Sequence, residues 1–245
     1  MRPRVSFTAT IAAVAALALF VLPLAQGQSS SSQSPTQQTN EQTSEQTSKT
    51  PYISIDPLAH VTYDNRYDLS VGMAYDHMKA GPTLLQGSNL GGLDVSGSYW
   101  LTKRWGVEGS GRGYVGTSGA GPNPYDIRGP FVSQYLFVAG PEWLGPHNKH
   151  GDLIAHAMFG GAYGNFEHDL RGHPPSSVAF YNNQMALGAI VGGHIDLNRS
   201  ARWVFRITPD AVITHYGINY APNTKQWDVN FAISVGVEYK FKKKR

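Results

Sequence analysis

Cysteine is absent from the 245 residues. Disulfide bonds, thiolate chemistry and an acylated lipoprotein cysteine are therefore excluded. Charge is also scarce, since Asp, Glu, Lys and Arg together make 15% of the chain. The net charge of +3, with a pI of about 9.0, is too small to argue for a nucleic-acid partner. Mean hydropathy is −0.30 and carries no sign of transmembrane-helix content. That average leaves a membrane protein open, because a barrel whose strands are half polar also gives a mildly negative value. Against these shortages stand 27 glycines and 13 tyrosines. Both suit tightly curved strands that seek an interface. The length accommodates one large all-β domain and an accessory segment.

The first residues read as an export signal. Arg2 and Arg4 precede an apolar run from Ile11 to Leu22, followed by Leu24, Ala25, Gln26 and Gly27. A positive region, an apolar region and small residues at the end describe a secretory signal peptide, 1–27, cut after Gly27, with Ala25 the nearest alternative. A membrane-anchoring helix needs about 20 apolar residues, more than this run supplies. Residues 28–50 are almost entirely Ser, Gln, Thr, Asn and Glu. Such a stretch has nothing to bury and is expected to be a disordered linker. Residues 51–65 form a transitional segment, too apolar for a free linker, that packs under the following domain or extends its first strand.

The clearest element is 227–241. Val229, Phe231, Ile233, Val235, Val237, Tyr239 and Phe241 fall on one face, while Asp228, Asn230, Ala232, Ser234, Gly236, Glu238 and Lys240 fall on the other. Successive side chains of a strand point to opposite faces, so one side of this strand is wholly apolar. Its length and its terminal aromatics suit a membrane-crossing strand. The same period-2 pattern recurs at 67–78, 91–101, 105–115, 131–143, 152–163, 184–197 and 203–215. The fourth is the least regular, because Val132, Leu136 and Val138 blur its alternation. Glycines at 109, 111 and 113 skip every second position. They read as strand glycines, since a phosphate loop needs a strand-to-helix context.

The connections alternate short and long. Turns at 102–104, 144–151 and 198–201 separate long Gly/Pro/Asn-rich loops at 79–90, 116–129, 164–183 and 216–226. Trp105, Trp143, Trp203, Tyr239 and Phe241 lie beside the turns or the C-terminus, and Tyr75, Tyr163, Tyr216 and Trp227 lie near the long loops. A lipocalin-type barrel could share the loop rhythm. Two aromatic bands flanking aliphatic middles are what the two interfaces of a bilayer select.

On the closing strand 229–241, the stretch Gly140-Pro141-Glu142-Trp143 and this strand rhythm, residues 66–241 resemble the small outer-membrane β-barrel family, of the OmpA-like or OmpX-like eight-stranded type. The resemblance implies an all-β, eight-stranded antiparallel up-and-down transmembrane barrel in the outer membrane of a Gram-negative-type bacterium. It also implies turns and termini on the periplasmic side and long loops outside. Its implied partners are outer-membrane lipid, lipopolysaccharide and the outer-membrane assembly machinery, with an extracellular ligand possible through the loops. Family members often end on an aromatic residue that resembles an assembly signal. Here Lys242, Lys243, Lys244 and Arg245 follow Phe241 as a basic tail, 242–245, which reads as solvated or in contact with anionic headgroups. The peptidoglycan-binding domain that OmpA-like proteins frequently carry is not seen.

If the apolar faces meet lipid, the polar faces point inward. That set holds Asp68, Asp76, Asp94, Glu108, Arg112, Gln134, Glu142, His156, His194, Asp196, Arg206, Asp210, Asp228, Asn230, Glu238 and Lys240. An eight-stranded bore is just wide enough for side chains to fill, and unpaired buried charges are costly. The expected inner network is Arg112 and Arg206, bridged by Asp94, Glu108 and Asp210. Enzymatic barrels need a nucleophile near a His and a carboxylate. The best cluster is Glu167-His168-Asp169 with His173 and Ser176, and His215 lies at a similar level. It sits on a flexible Gly172-His173-Pro174-Pro175 loop, a poor place to hold a triad. The expectation is therefore a non-enzymatic barrel with a structural or surface-interaction role, without cofactor or metal. A narrow solute channel is the alternative, and a lipid-modifying enzyme ranks below it.

Overall fold

The computed structural model describes residues 56–84, 87–217 and 227–241. The expected signal peptide and linker, residues 51–55, residues 218–226 of the fourth long loop and the basic tail lie outside the described residues. Among the described residues the chain forms eight strands and one 3₁₀ turn at Pro175–Val178. The strands are β1 (Tyr67–Met78), β2 (Ser88–Trp100), β3 (Trp105–Thr117), β4 (Phe131–Asn148), β5 (Gly151–Asn165), β6 (Gln184–Asn198), β7 (Trp203–Thr214) and β8 (Asp228–Phe241). Each pairs antiparallel with the next, and β1 closes on β8 from Tyr67↔Phe241 to His77↔Phe231. The result is a closed up-and-down barrel, in which every strand edge finds a partner.

Strand length fits a bilayer. β1 has 12 residues. At about 3.3 Å per residue and a tilt of about 40° it rises about 30 Å, the thickness of a hydrocarbon core. The alternation along the strands is inside-out relative to a soluble protein. On β8, Val229, Phe231, Val235, Val237 and Phe241 are exposed, while Asn230, Ser234, Glu238 and Lys240 are buried in the bore. Met73, Phe137 and Met185 are 76%, 70% and 70% exposed, a cost in water that no soluble barrel repeats on strand after strand. Among the described residues no helix is long and apolar enough to cross a membrane; the crossing is by strands.

Two boundaries differ from the sequence pattern by more than two residues. β2 begins at Ser88 rather than at residue 91, because Met78↔Ser88 and His77↔Asn89 still pair and Asn89 Oδ1 accepts from the Tyr75 hydroxyl at 2.7 Å. β4 runs on to Asn148, through the stretch expected to be a turn. Gly145-Pro146 occupies a register shift between Leu144 and His147, a bulge where a proline can sit without breaking the ladder. The turn itself is Lys149-His150, held by Asn148 Oδ1, which accepts from the His150 and Gly151 amides at 2.7 and 3.2 Å. The other two turns close in a related way. Thr102 Oγ1 accepts from the Trp105 amide at 2.9 Å, and Ser200 Oγ from the Trp203 amide at 3.1 Å.

The bore has two storeys. The half nearer the turns is polar, with Asp68, Ser70, Asp94, Ser98, Glu108, Arg112, Glu142, Asp152, His156, His194, Asp196, Arg206 and Asp210 all buried. The half nearer the long loops is mostly apolar, built from Met78, Leu90, Tyr114, Val132, Leu136 and Ile190 with residues contributed by the loops, and Asp76, Gln134, Thr214 and Asn230 are buried among them. This division explains the blurred alternation of β4. Phe131, Tyr135 and Phe137 face outward, yet Val132, Leu136 and Val138 are also needed, because they line the apolar storey inside.

Candidate functional site

The polar storey is a set of linked ion pairs whose partners follow from register. Arg112 lies directly opposite Asp94 across the β2–β3 ladder. Its guanidinium stands 3.4 Å from Asp94 Oδ1 and 2.6 Å from Asp210 Oδ2. Ser110 and Ser234 donate to the two oxygens of Asp94 at 3.0 and 2.9 Å. Arg206 lies opposite Asp196 on β6. It grips Asp196 with two bonds, Nε to Oδ1 at 2.8 Å and Nη2 to Oδ2 at 2.7 Å, and reaches Glu238 Oε2 on β8 at 2.6 Å. Lys240 Nζ is 3.2 Å from Asp152 Oδ2.

Of the expected inner residues, then, Arg112, Asp94 and Asp210 come together, while Arg206 and Glu108 each take other partners. Arg206 is served by Asp196 and Glu238 rather than by the three expected carboxylates. Among the described residues Glu108 pairs with two histidines rather than with an arginine. Its Oε2 lies 2.8 Å from His156 Nδ1 and 3.0 Å from His194 Nε2, and those two nitrogens are 3.1 Å apart. The outer nitrogen of His156 meets Asp210 Oδ1 at 2.8 Å, and that of His194 meets Thr208 Oγ1 at 2.8 Å. The sequence pattern put both histidines inside the bore but gave no reason to join them. Register does: His156 pairs with Gly192, two residues from His194.

Among the described residues, side chains of the chain itself lie at both ends of the bore. At the turn end Tyr63, from the segment before β1, donates its hydroxyl to the Asn148 carbonyl at 2.7 Å and accepts from Asn198 Nδ2 at 2.8 Å. Its ring lies 4.7 Å from the Lys240 ammonium. Burial, reinforced by the negative charge of Asp152, raises the phenol above its ordinary value. Beside it Asp56 accepts from the Leu58 amide at 2.9 Å and pairs with Lys149 at 3.3 Å, and these two contacts lower its carboxyl below the usual range. At the long-loop end Phe166, Tyr181 and Tyr216 are fully buried. Their rings meet at centroid distances of 5.2 to 5.8 Å. The Gln134 side chain donates to the Tyr216 hydroxyl at 3.2 Å, and Tyr181 donates to Asp228. Burial raises both phenols, with Asp228 adding to the effect at Tyr181. The third long loop was expected to be polar and outward-facing. Instead Leu170, Val178 and Phe180 join these rings in the mouth of the barrel. Apolar side chains above an apolar storey lose less by burial than by meeting water.

The loop residues considered for catalysis serve the backbone. Glu167 Oε1 accepts from the Asn183 amide at 2.9 Å, and Asp169 Oδ2 accepts from the Phe131 amide at 3.1 Å. His173 stacks on Tyr125 at 3.7 Å, His168 meets the edge of Phe131 at 5.8 Å, and His215 stacks on Trp227 at 4.5 Å. Ser176 sits in the 3₁₀ turn. On the outside of the second and third loops a cleft of about 430 Å³ is lined by Ile127, Arg128, Pro130, His168, Asp169 and Arg171. The expected interface aromatics occupy two rims. Trp105 pairs with Trp143, and Trp203 with Tyr239 at a ring distance of 5.0 Å. Phe241 packs on Tyr239 at 4.9 Å, and Trp227 is exposed at the loop end.

No protein-family model matches the chain, and no curated protein matches its sequence. Solved structures similar to it include Ail, the attachment invasion locus protein of Yersinia pestis, in complex with the heparin analogue sucrose octasulfate, at 18% identity and TM-score 0.41, covering 72% of this chain and 99% of that one. Neisserial surface protein A is 14% identical with TM-score 0.47, covering 71% and 97%. The outer membrane protein OprG from Pseudomonas aeruginosa is 14% identical with TM-score 0.47, covering 77% and 100%. A closed ring of eight antiparallel strands with an apolar exterior, a polar and charged interior and strands of bilayer length is a transmembrane β-barrel of the outer-membrane type.

Proposed function

We propose that this protein is a non-enzymatic barrel with a structural and surface-interaction role, held rigid by its interior ion pairs and presenting its long loops outward. The observation that supports the reading is that side chains of the chain itself lie at both ends of the bore. Tyr63 stands at the turn end and Phe166, Tyr181 and Tyr216 stand at the loop end. Between them a void beside Ser70, Asp94, Arg206, Thr208 and Ser234 measures about 10 Å³, room for at most one water. A file of solute needs a continuous path, which such a filling denies. The loop carboxylates that an enzyme would use are engaged by backbone amides.

In this reading the rim aromatics Trp105, Trp143, Trp203, Tyr239 and Phe241 anchor the barrel in the periplasmic interface, and Trp227 in the outer one. Outer-membrane lipid and lipopolysaccharide surround the apolar exterior, and β8 with its terminal aromatics is the strand that the assembly machinery would read. An extracellular ligand would meet the second and third loops at the cleft bounded by Arg128, His168 and Arg171. The test is conductance of the folded protein in planar bilayers bathed in KCl. No discrete steps are expected. A stable conductance that changes in Arg112→Ala or Arg206→Ala would replace this reading with a solute channel.

A further inference from the structure

We propose that Glu108, His156 and His194 form a binding site for one divalent first-row transition-metal ion inside the barrel. The three side chains come from β3, β5 and β6, all three are buried, and their ligand atoms form a triangle with edges of 2.8, 3.0 and 3.1 Å. A nearly equilateral triangle of this size is what a metal face requires. With bonds of about 2.1 Å, adjacent ligands of an octahedral ion stand about 3.0 Å apart, while a tetrahedral ion with bonds of about 2.0 Å holds them about 3.3 Å apart. The observed edges fit the octahedral face. Two imidazoles and one carboxylate on one face are a donor set that intermediate metals accept.

The outer nitrogens strengthen the case. His156 Nε2 is 2.8 Å from Asp210 Oδ1, an acceptor carboxylate, so that nitrogen carries the hydrogen. His194 Nδ1 is 2.8 Å from Thr208 Oγ1, whose oxygen can accept in the same way. A metal-bound imidazole characteristically donates its second N–H to such a partner. With those hydrogens outside, both inner nitrogens turn lone pairs towards Glu108 Oε2. Three lone pairs at about 3 Å repel one another unless a cation lies between them. Two protons could relieve two edges of the triangle by donating to Glu108, but they would set two N–H groups against each other along the third. One metal ion satisfies all three edges together.

Two further features fit the site. Glu108 Oε1 is buried and has no hydrogen-bond partner among the described residues, so it is available as a second carboxylate ligand. Gly192 stands where a Cβ would lie 1.9 Å from Asp210 Oδ1. A glycine there leaves the space through which Asp210 reaches His156. Because side chains lie at both ends of the bore, the ion enters while the barrel is folding, and once bound it links β3, β5 and β6.

The test uses the full chain, refolded from urea into detergent micelles with Co(II) present and then passed through a chelator to strip ions from surface histidines. Folding is checked by the shift in gel migration on boiling. About one cobalt per chain is expected, with the weak visible bands of a six-coordinate ion. His194→Gln and Glu108→Gln should each retain less than a tenth of that amount. Refolding with Co(II) should also raise the temperature of the gel shift in the wild-type protein and leave it unchanged in Glu108→Gln. Fewer than 0.1 cobalt per chain in the wild type would overturn the site, as would equal retention by folded wild type and folded variants. Should the variants fail to fold, X-ray absorption of the wild-type protein decides. Outer-shell scattering from two imidazoles supports the site, and its absence refutes it.

Discussion

Arg206→Met is the sharpest probe of the interior. The guanidinium makes three bonds of 2.6 to 2.8 Å, two to Asp196 on β6 and one to Glu238 on β8. The Arg206 side chain is 5% exposed and the two carboxylates are 0% exposed, so water is in no position to replace what is lost. Methionine keeps the length and most of the volume but leaves two buried carboxylates without their cation. Removing one partner of a buried ion pair costs about 3–5 kcal/mol. At about 1.4 kcal/mol per decade, the unfolding equilibrium should shift by roughly two to nearly four decades. A second variant separates charge from packing. Adding Asp196→Asn and Glu238→Gln to Arg206→Met removes the stranded charges and should recover more than half of the loss. Urea unfolding in micelles, followed by tryptophan fluorescence and by the gel shift, reads both. The loss should persist in 1 M KCl, since buried pairs are screened far less than exposed ones. A loss below about 1 kcal/mol, or a triple variant no more stable than the single one, would refute the assignment of Arg206 as the tie between β6, β7 and β8.

Other expectations concern the closures and the glycine beside the histidines. The Tyr63 phenol is raised in the folded state, so its docking is fully present below the ordinary tyrosine value of about 10 and is lost as pH rises above it. In an alkaline titration read at 295 nm, Tyr63→Phe should remove one late-titrating phenol; removal instead of a phenol that titrates near the ordinary value of about 10 would place Tyr63 in solvent. Phe166→Ala deletes a fully buried ring from the loop plug, a change that costs about 3–5 kcal/mol in a packed core. Trypsin should then cut at Arg171 while the gel shift persists, and an equally protected loop would show that the plug does not depend on this ring. Gly192→Ala should lower the temperature of the gel shift by several degrees, because the new methyl would stand 1.9 Å from Asp210 Oδ1 and 2.5 Å from the Pro209 carbonyl oxygen; the same substitution without effect would mean that the carboxylate and the β7 backbone both have room to yield.

How far the sequence could be read depends on the range over which each feature is decided. The span of β1 and the two faces of β8 are local properties, set by alternation within a dozen residues, and both were legible. At β4 the alternation fails because the apolar storey of the bore asks for Val132, Leu136 and Val138 inside while the membrane asks for Tyr135 and Phe137 outside. A one-dimensional pattern then contains two apolar faces and cannot rank them. The same storey recruits Phe166, Leu170, Phe180 and Tyr181. Their apolar character was visible in the third loop, but glycines, prolines and asparagines around them masked it. Partner choice lies further out of reach. Arg206 and Asp196 are 10 residues apart, Arg206 and Glu238 32, and His156 and His194 38. Each pair is fixed by register across a ladder, and a slip of one position would send every member to the lipid face. Signs and faces are thus written in the sequence, whereas the pairing of charges is written in the register. Glu108 makes the point: a count of inner charges assigns it to an arginine, and only the alignment of β3, β5 and β6 places it between two histidines.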